Sequence, residues 1–210
     1  KTYRAVIWLG TTSESLDIEN VTSINENDIL KTDTIENVIK NTRGKIDYYP
    51  PKFSAKKIDG QRAYDLARAG VDVQMKQSTM NIINTKFISY NHPFITFEST
   101  VSEGSYIRSL AQIILEKLNS VGTLCYLKRL NEGEFFYDNE KDLNPLDYLS
   151  MKHNIYTGTK VWLEDGKKIS LEFLEYKDDG EYIIKFDDFF SIIQIKNDEV
   201  IYLLNKVKLN

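Results

Sequence analysis

Six apolar side chains recur with helical period in one short window of this chain. Ile107, Leu110, Ala111, Ile114, Leu115 and Leu118 fall at i, +3, +4, +7, +8 and +11, so one face of a helix opening after Gly104 is apolar from end to end. Such a face must be covered, because exposed apolar surface costs ~25 cal/mol per Å². The cover is legible in the β-branched and aromatic runs on either side. Residues 3–9 (YRAVIWL), 80–90, 94–101, 124–130 and 133–137 read as strands, with Asn91-His92-Pro93 as the turn between the second and third. The expectation is an α/β (α+β) fold with a mixed, mainly antiparallel sheet and helices on one face.

Two further helices are predicted. From Asp33 the period is 3.6: Ile35, Val38 and Ile39 form a stripe, Asp33 and Glu36 have capping-box spacing, and Gly44 ends the run. Pro50-Pro51 forbids its continuation, and the next candidate helix covers residues 61–69, with Gly70 suited to the C′ position. Asn144-Pro145 marks a boundary, and beyond about residue 154 only short strand-like runs remain: 160–163, 169–176, 182–186, 191–195 and 200–204. Turn residues at Asp165-Gly166, Asp178-Asp179-Gly180 and Asn197-Asp198 separate them. This pattern predicts a large domain over 1–150 and a small β-rich domain, a barrel or sandwich, over 151–210.

Composition excludes more than it selects. At 41% hydrophobic and 28% charged residues the chain is globular rather than disordered or fibrous. No apolar run approaches membrane-helix length, and the single cysteine, Cys125, has no partner for an internal disulfide, so a reducing, cytoplasmic location is expected. The net charge of −4 argues against a generally basic nucleic-acid binder, yet residues 40–76 hold nine Lys and Arg against four Asp and Glu. That local excess is either a solvated face or a surface for a polyanion, and charge alone does not separate them.

Most familiar catalytic devices are missing. Cys125, His92 and His153 are not at ligand spacing, so no metal site is expected. No nucleophile triad stands out, and no phosphate-cradling glycine loop or dinucleotide fingerprint is present. Arg108 is the residue that asks for an explanation. It stands beside the apolar stripe in a helix first turn, where the dipole disfavours a cation, so an anion must compensate. A local acid such as Glu103 and a ligand phosphate or carboxylate both answer that need.

Two long motifs give the chain a likeness. Residues 50–70 (PPKFSAKKIDGQRAYDLARAG) resemble the PP-x-(Y/F)-S-A-x-K-x-x-G-x-R-x-Y-x-L-A-R-x-G signature of the TruB family of tRNA pseudouridine synthases, and residues 102–110 (SEGSYIRSL) resemble its S-x-G-(T/S)-Y-I-R-(S/T)-L motif. Lys1-x-Tyr3 with Leu9-Gly10 and Asp17, and Tyr126-Leu127-Lys128-Arg129-Leu130, are similar to two more of its segments in the right order. The resemblance covers residues 1–137. The family's G-(T/A)-L-D-P motif, which carries the catalytic aspartate, precedes the first of these segments and is absent here. Asp17 matches a later, structural aspartate. Phe53, Glu103, Ser13-Glu14-Ser15 and Asn20 also depart from the family pattern.

The resemblance implies the pseudouridine synthase fold, with residues 151–210 as a small PUA-like domain. It implies an isomerase that converts a uridine of the tRNA T loop (position 55) to pseudouridine without a cofactor, here as a fragment lacking its nucleophile and therefore inactive alone. The alternative is a non-catalytic tRNA-binding or RNA-folding module. Implied roles are stacking on the extruded uracil for Tyr3, framing the pocket for Tyr106, packing against the base for Leu127, and pairing with the nucleophilic aspartate for Arg108. Each also has a plain reading as packing or a salt bridge. Lys52, Ser54, Lys57, Arg62, Tyr64 and Arg68 are the implied RNA contacts. The implied partner is the T arm of tRNA, with no membrane and a monomeric state.

Overall fold

The computed structural model describes residues 1–139 and 142–209, and the chain divides into two compact units, Lys1–Asn139 and Glu140–Asn210. The elements of the first unit are β1 (Thr2–Leu9), β2 (Thr11–Ser13), β3 (Val21–Ile24), α1 (Thr32–Lys40), β4 (Gly44–Tyr48), β5 (Lys57–Ile58), β6 (Gln61–Arg62), α2 (Ala63–Arg68), β7 (Ser78–Asn91), β8 (Phe94–Val101), α3 (Ile107–Lys117), β9 (Gly122–Glu132) and β10 (Phe135–Phe136). Six strands form one sheet in the order β10-β9-β1-β8-β7-β4, and every pairing in it is antiparallel. The fold is α+β, as the strand and helix patterns predict.

The alternation of β1 decides which face is core. Ala5, Ile7 and Leu9 are buried, as are Ile95 and Phe97 of β8 and Met80 and Ile82 of β7. Ile35 and Ile39 of α1 and Leu110, Ala111, Ile114 and Leu115 of α3 close the same cluster, so both helices lie on one face of the sheet. All six residues of the predicted α3 stripe are buried. The 91–94 turn joins β7 and β8 where Asn91-His92-Pro93 places it.

Two local expectations are corrected. The Asp33–Glu36 capping box does not form: the N-cap lies two residues earlier, at Lys31, which offers no side-chain bond. Tertiary burial of Ile35 and Ile39 sets the helix instead. The second predicted helix is shorter than 61–69, because Gln61 and Arg62 pair with Lys57 and Ile58 in a small hairpin before α2 begins. Asp59 and Gly60, both at positive φ, make its turn.

The second unit contains β11 (Lys152–His153), α4 (Lys160–Glu164), β12 (Gly180–Lys185), β13 (Phe189–Lys196) and β14 (Glu199–Lys208). The described residues form a single sheet, β11-β12-β13-β14, rather than a closed barrel or a two-sheet sandwich. Residues 160–163, predicted as a strand, are helical. Gly166 at φ +64 ends α4, where Lys167 N–H donates to Trp162 O at 2.8 Å, so Asp165-Gly166 is a helix stop and not a hairpin turn. Residues 169–176 hold a 3-10 turn, Leu171–Phe173, in place of a strand. A run of four residues fits helix and strand equally well, and burial of its Leu163 in one cluster with Ile169 settles it.

Candidate active site

The end of β4, β7, the turn after β8 and the start of α3 are joined by side-chain-to-backbone bonds. Ser102 Oγ accepts from Asn81 N–H at 3.0 Å, and Gly104 at φ +74 turns the chain into α3. Tyr48 OH then donates to Gly104 O at 3.2 Å, and Ser109 Oγ to Tyr49 O at 3.1 Å. The start of α3 is thereby pinned to the stretch that leads into Pro50-Pro51 and the basic segment 52–77, called the insertion. Burial raises the Tyr48 phenol above its ordinary range.

Arg108 projects from this point into a cleft of about 480 Å³ lined also by Asp17, Glu19, Phe53, Ser54, Ala55, Arg62, Tyr64 and Tyr106. Its Nη1 donates to Asp17 Oδ2 and to Ser15 O, each at 2.8 Å, and its Nη2 to Phe53 O at 2.7 Å. The pair is largely enclosed, with side chains 20% and 25% exposed. Asp17 is held in turn: its Oδ1 accepts from Ser15 Oγ at 2.5 Å and from Glu19 N–H at 3.1 Å. Of the two answers that the sequence leaves open for Arg108, a local acid is present, and it is Asp17 and not Glu103. Nε–H and one Nη2–H of Arg108 keep no protein partner among the described residues.

The four expected site residues are not gathered equally. Tyr106 and Arg108 line the cleft, and the Tyr106 ring lies 6.5 Å from that of Tyr48. Tyr3 and Leu127 are not in its lining. They sit on neighbouring strands: Leu127 stands opposite Ala5, and Tyr3 opposite Arg129. Opposed residues share a face, so all of these lie on the helix-bearing side, with Tyr3 half-buried against the core and Leu127 47% exposed. Arg129 donates from Nε to Tyr3 OH at 3.2 Å and lies over its ring at 5.4 Å, while Glu132 holds Arg129 and also pairs with Lys1 at 2.6 Å. These bonds raise the Lys1 ammonium and lower the Glu132 carboxyl, through their hydrogen bond first.

The expected RNA contacts differ in kind. Lys52, Lys57, Arg62 and Arg68 are exposed on the insertion, although Lys52 already pairs with Asp72 at 2.8 Å. Tyr64 is half-buried between Phe53, whose ring meets it edge-on at 6.1 Å, and Arg68 at 5.4 Å. Ser54 is buried, and its hydroxyl has no partner among the described residues. An unpaired hydroxyl in a cleft wall is costly, and a bound polar group relieves that cost. Reading the sequence alone overlooks Arg129, Ser15 and the Phe53 carbonyl. Only strand register could have revealed the first, and no side-chain pattern encodes a backbone acceptor. No group of three or more His, Cys, Asp or Glu side chains among the described residues is placed to hold a metal ion.

Comparison with known proteins decides the family. Residues 1–107 match the model of the TruB family pseudouridylate synthase N-terminal domain. Over 207 residues the chain is 49% identical to tRNA pseudouridine synthase B of Sulfurovum sp. (strain NBC37-1), covering 99% of this chain and 75% of that protein. The chain belongs to the TruB family. Another member, tRNA pseudouridine synthase B of Campylobacter jejuni (serotype O:2), is 46% identical over 208 residues, covering 99% of this chain and 76% of its own length. Among solved structures, a Cbf5-Nop10-Gar1 complex aligns with 100% of this chain and 65% of its own at 15% identity, with a TM-score of 0.47. The chain thus spans about three-quarters of its curated TruB-family relatives and just under two-thirds of that solved chain.

Proposed function

We propose that the first unit is the catalytic domain, without its N-terminal part, of a tRNA pseudouridine synthase that isomerises a T-loop uridine at position 55. The observation that carries the reading is the state of Arg108. Three of its donors are committed to holding the cleft together, and two are left at the cleft for a second anion. A nucleophilic aspartate from a G-(T/A)-L-D-P segment outside these 210 residues is the anion that fits.

The chemistry is a rearrangement. The bond from C1′ to N1 breaks, a bond from C1′ to C5 forms, and the proton leaving C5 is balanced by one gained at N1. An enzyme for this must extrude the nucleotide and hold the detached base. Tyr3, steadied by Arg129, offers a ring to stack on the uracil and a phenol oxygen near it; Tyr106 frames the cleft; Leu127, half-exposed on the adjoining strand, gives apolar contact. Arg108 orients and charge-balances the nucleophile. Lys57, Arg62 and Arg68 supply phosphate contacts, and Ser54 and Tyr64 the wall against the nucleotide. No cofactor enters this scheme. The second unit is read as a shortened PUA-like domain, and the protein as a cytoplasmic monomer; no helix among the described residues is long and apolar enough to cross a membrane.

Tritium release from C5-labelled uridine in tRNA tests the reading. The 210-residue chain is expected to bind T-arm RNA without turnover, and the chain extended upstream through the aspartate motif to turn over. Turnover by the 210 residues that disappears in Asp17→Ala would assign the nucleophile to Asp17; inactivity of the extended protein would leave an RNA-binding or RNA-folding module.

A further inference from the structure

Three segments far apart in sequence meet on one guanidinium. Arg108 of α3 holds the loop after β2 through Ser15 O and Asp17, and it holds the root of the basic insertion through Phe53 O. We propose that Arg108 is a positioning residue for the insertion, tethering residues 52–77 in the arrangement that grips RNA; this rests on the reading of that segment as the RNA grip.

The insertion has little internal means of holding its place. It consists of two two-residue strands, a six-residue helix and an extended return, with only Ser54, Ala63 and Val73 buried. A helix of that length is not stable by itself. Most of its hydrogen bonds are internal: Ala63 N–H to Lys56 O at 2.8 Å, Tyr64 N–H to Ser54 O at 2.9 Å, and the Lys52–Asp72 pair. Among the described residues, two polar contacts leave it. One is Lys56 Nζ to Ser78 Oγ at 2.5 Å, and the other is Arg108 to Phe53 O. Both donors are cations, but only the second belongs to a guanidinium that is itself fixed on Asp17 and Ser15 O. It also acts at the right place, since Phe53 carries the ring against Tyr64 and precedes the Ser54 carbonyl that receives the first turn of α2. Asp17 keeps the fork aimed, because its carboxylate and Ser15 O occupy Nη1 while Nη2 reaches the insertion.

A lysine at 108 retains the charge but not the fork, so it cannot span Asp17 and Phe53 O together. The insertion then spends more time detached. If only the docked form binds RNA, the apparent Kd rises by the reciprocal of the docked fraction. The salt slope stays the same, because no phosphate contact has been removed.

Hydrogen exchange by mass spectrometry on the free 210-residue chain, together with titration of a T-arm hairpin RNA over salt, tests this in Arg108→Lys and Asp17→Ala. Exchange over residues 53–72 is expected to rise about tenfold or more in both variants, with β1 and β8 as protected as in the parent. In Arg108→Lys the Kd should rise at unchanged salt slope, by the reciprocal of the docked fraction that the exchange reports. Parent-like exchange of the insertion in folded Arg108→Lys would overturn the tether. So would loss of protection throughout β1 and β8, which would make Arg108 a keystone of the sheet, and so would a weaker Kd with a flatter slope and unchanged exchange, which would make it a phosphate contact. An insertion that loosens in a chain that never binds T-arm RNA would uphold the tether and refute the RNA reading.

Discussion

At the scale of single residues, Gly10 shows how little space the loop after β1 leaves. It adopts φ +79, its N–H donates to Val121 O at 2.9 Å and its carbonyl accepts from Asn25 N–H at 2.8 Å. A Cβ there would lie 2.2 Å from Asn25 O, a backbone atom that cannot swing aside. Gly10→Ala is therefore expected to destabilise the chain by more than about 2 kcal/mol, the left-handed penalty plus a backbone displacement, as read from urea unfolding. Gly10 leads directly into β2 and the loop after it, which delivers Ser15 and Asp17 to Arg108, so strain at Gly10 should also disturb the cleft.

At the scale of elements, α3 and the insertion contrast. Ile114 is completely buried between α3 and the sheet, and Ile114→Ala should cost about 2–5 kcal/mol in thermal or denaturant unfolding, through lost burial and the cavity left behind. The insertion rests on polar contacts instead, and one of them, the Lys52–Asp72 pair, is exposed. Hydrogen bonding to Lys52 is the main cause that lowers the Asp72 carboxyl below its ordinary range. A carboxyl lowered in the folded state contributes stability that is present above its unfolded value and lost as pH falls through the folded one. In a carboxyl NMR titration Asp72 should accordingly titrate below an ordinary aspartate, and Lys52→Ala should return it upward.

At the scale of the whole molecule, net charge and function point in opposite directions. The chain carries −4 overall, yet Lys57, Arg62 and Arg68 stand exposed on one small insertion. RNA binding follows the local field, because screening confines each charge to roughly 8–10 Å at physiological salt. Arg62→Ala should weaken T-arm RNA binding and reduce the slope of log affinity against log salt by about one, in a titration between low and moderate salt. Unchanged affinity and slope would remove Arg62 from the contact surface. Periodicity alone determined α3, β1, the β7–β8 hairpin and the α+β class, because a long apolar stripe or an alternating run has few ways to be buried. The motifs likewise announced the family, since residues 50–70 and 102–110 are dense in fixed side chains. Tertiary structure alone decided the rest. Residues 160–163 became a helix because a run that short has no preferred period, and the Asp33 capping box lost to burial of Ile35 and Ile39. Arg108 found Asp17 and the Phe53 carbonyl because sheet register and the pinned start of α3 bring them within 3 Å, a coincidence in space that no spacing along the chain records.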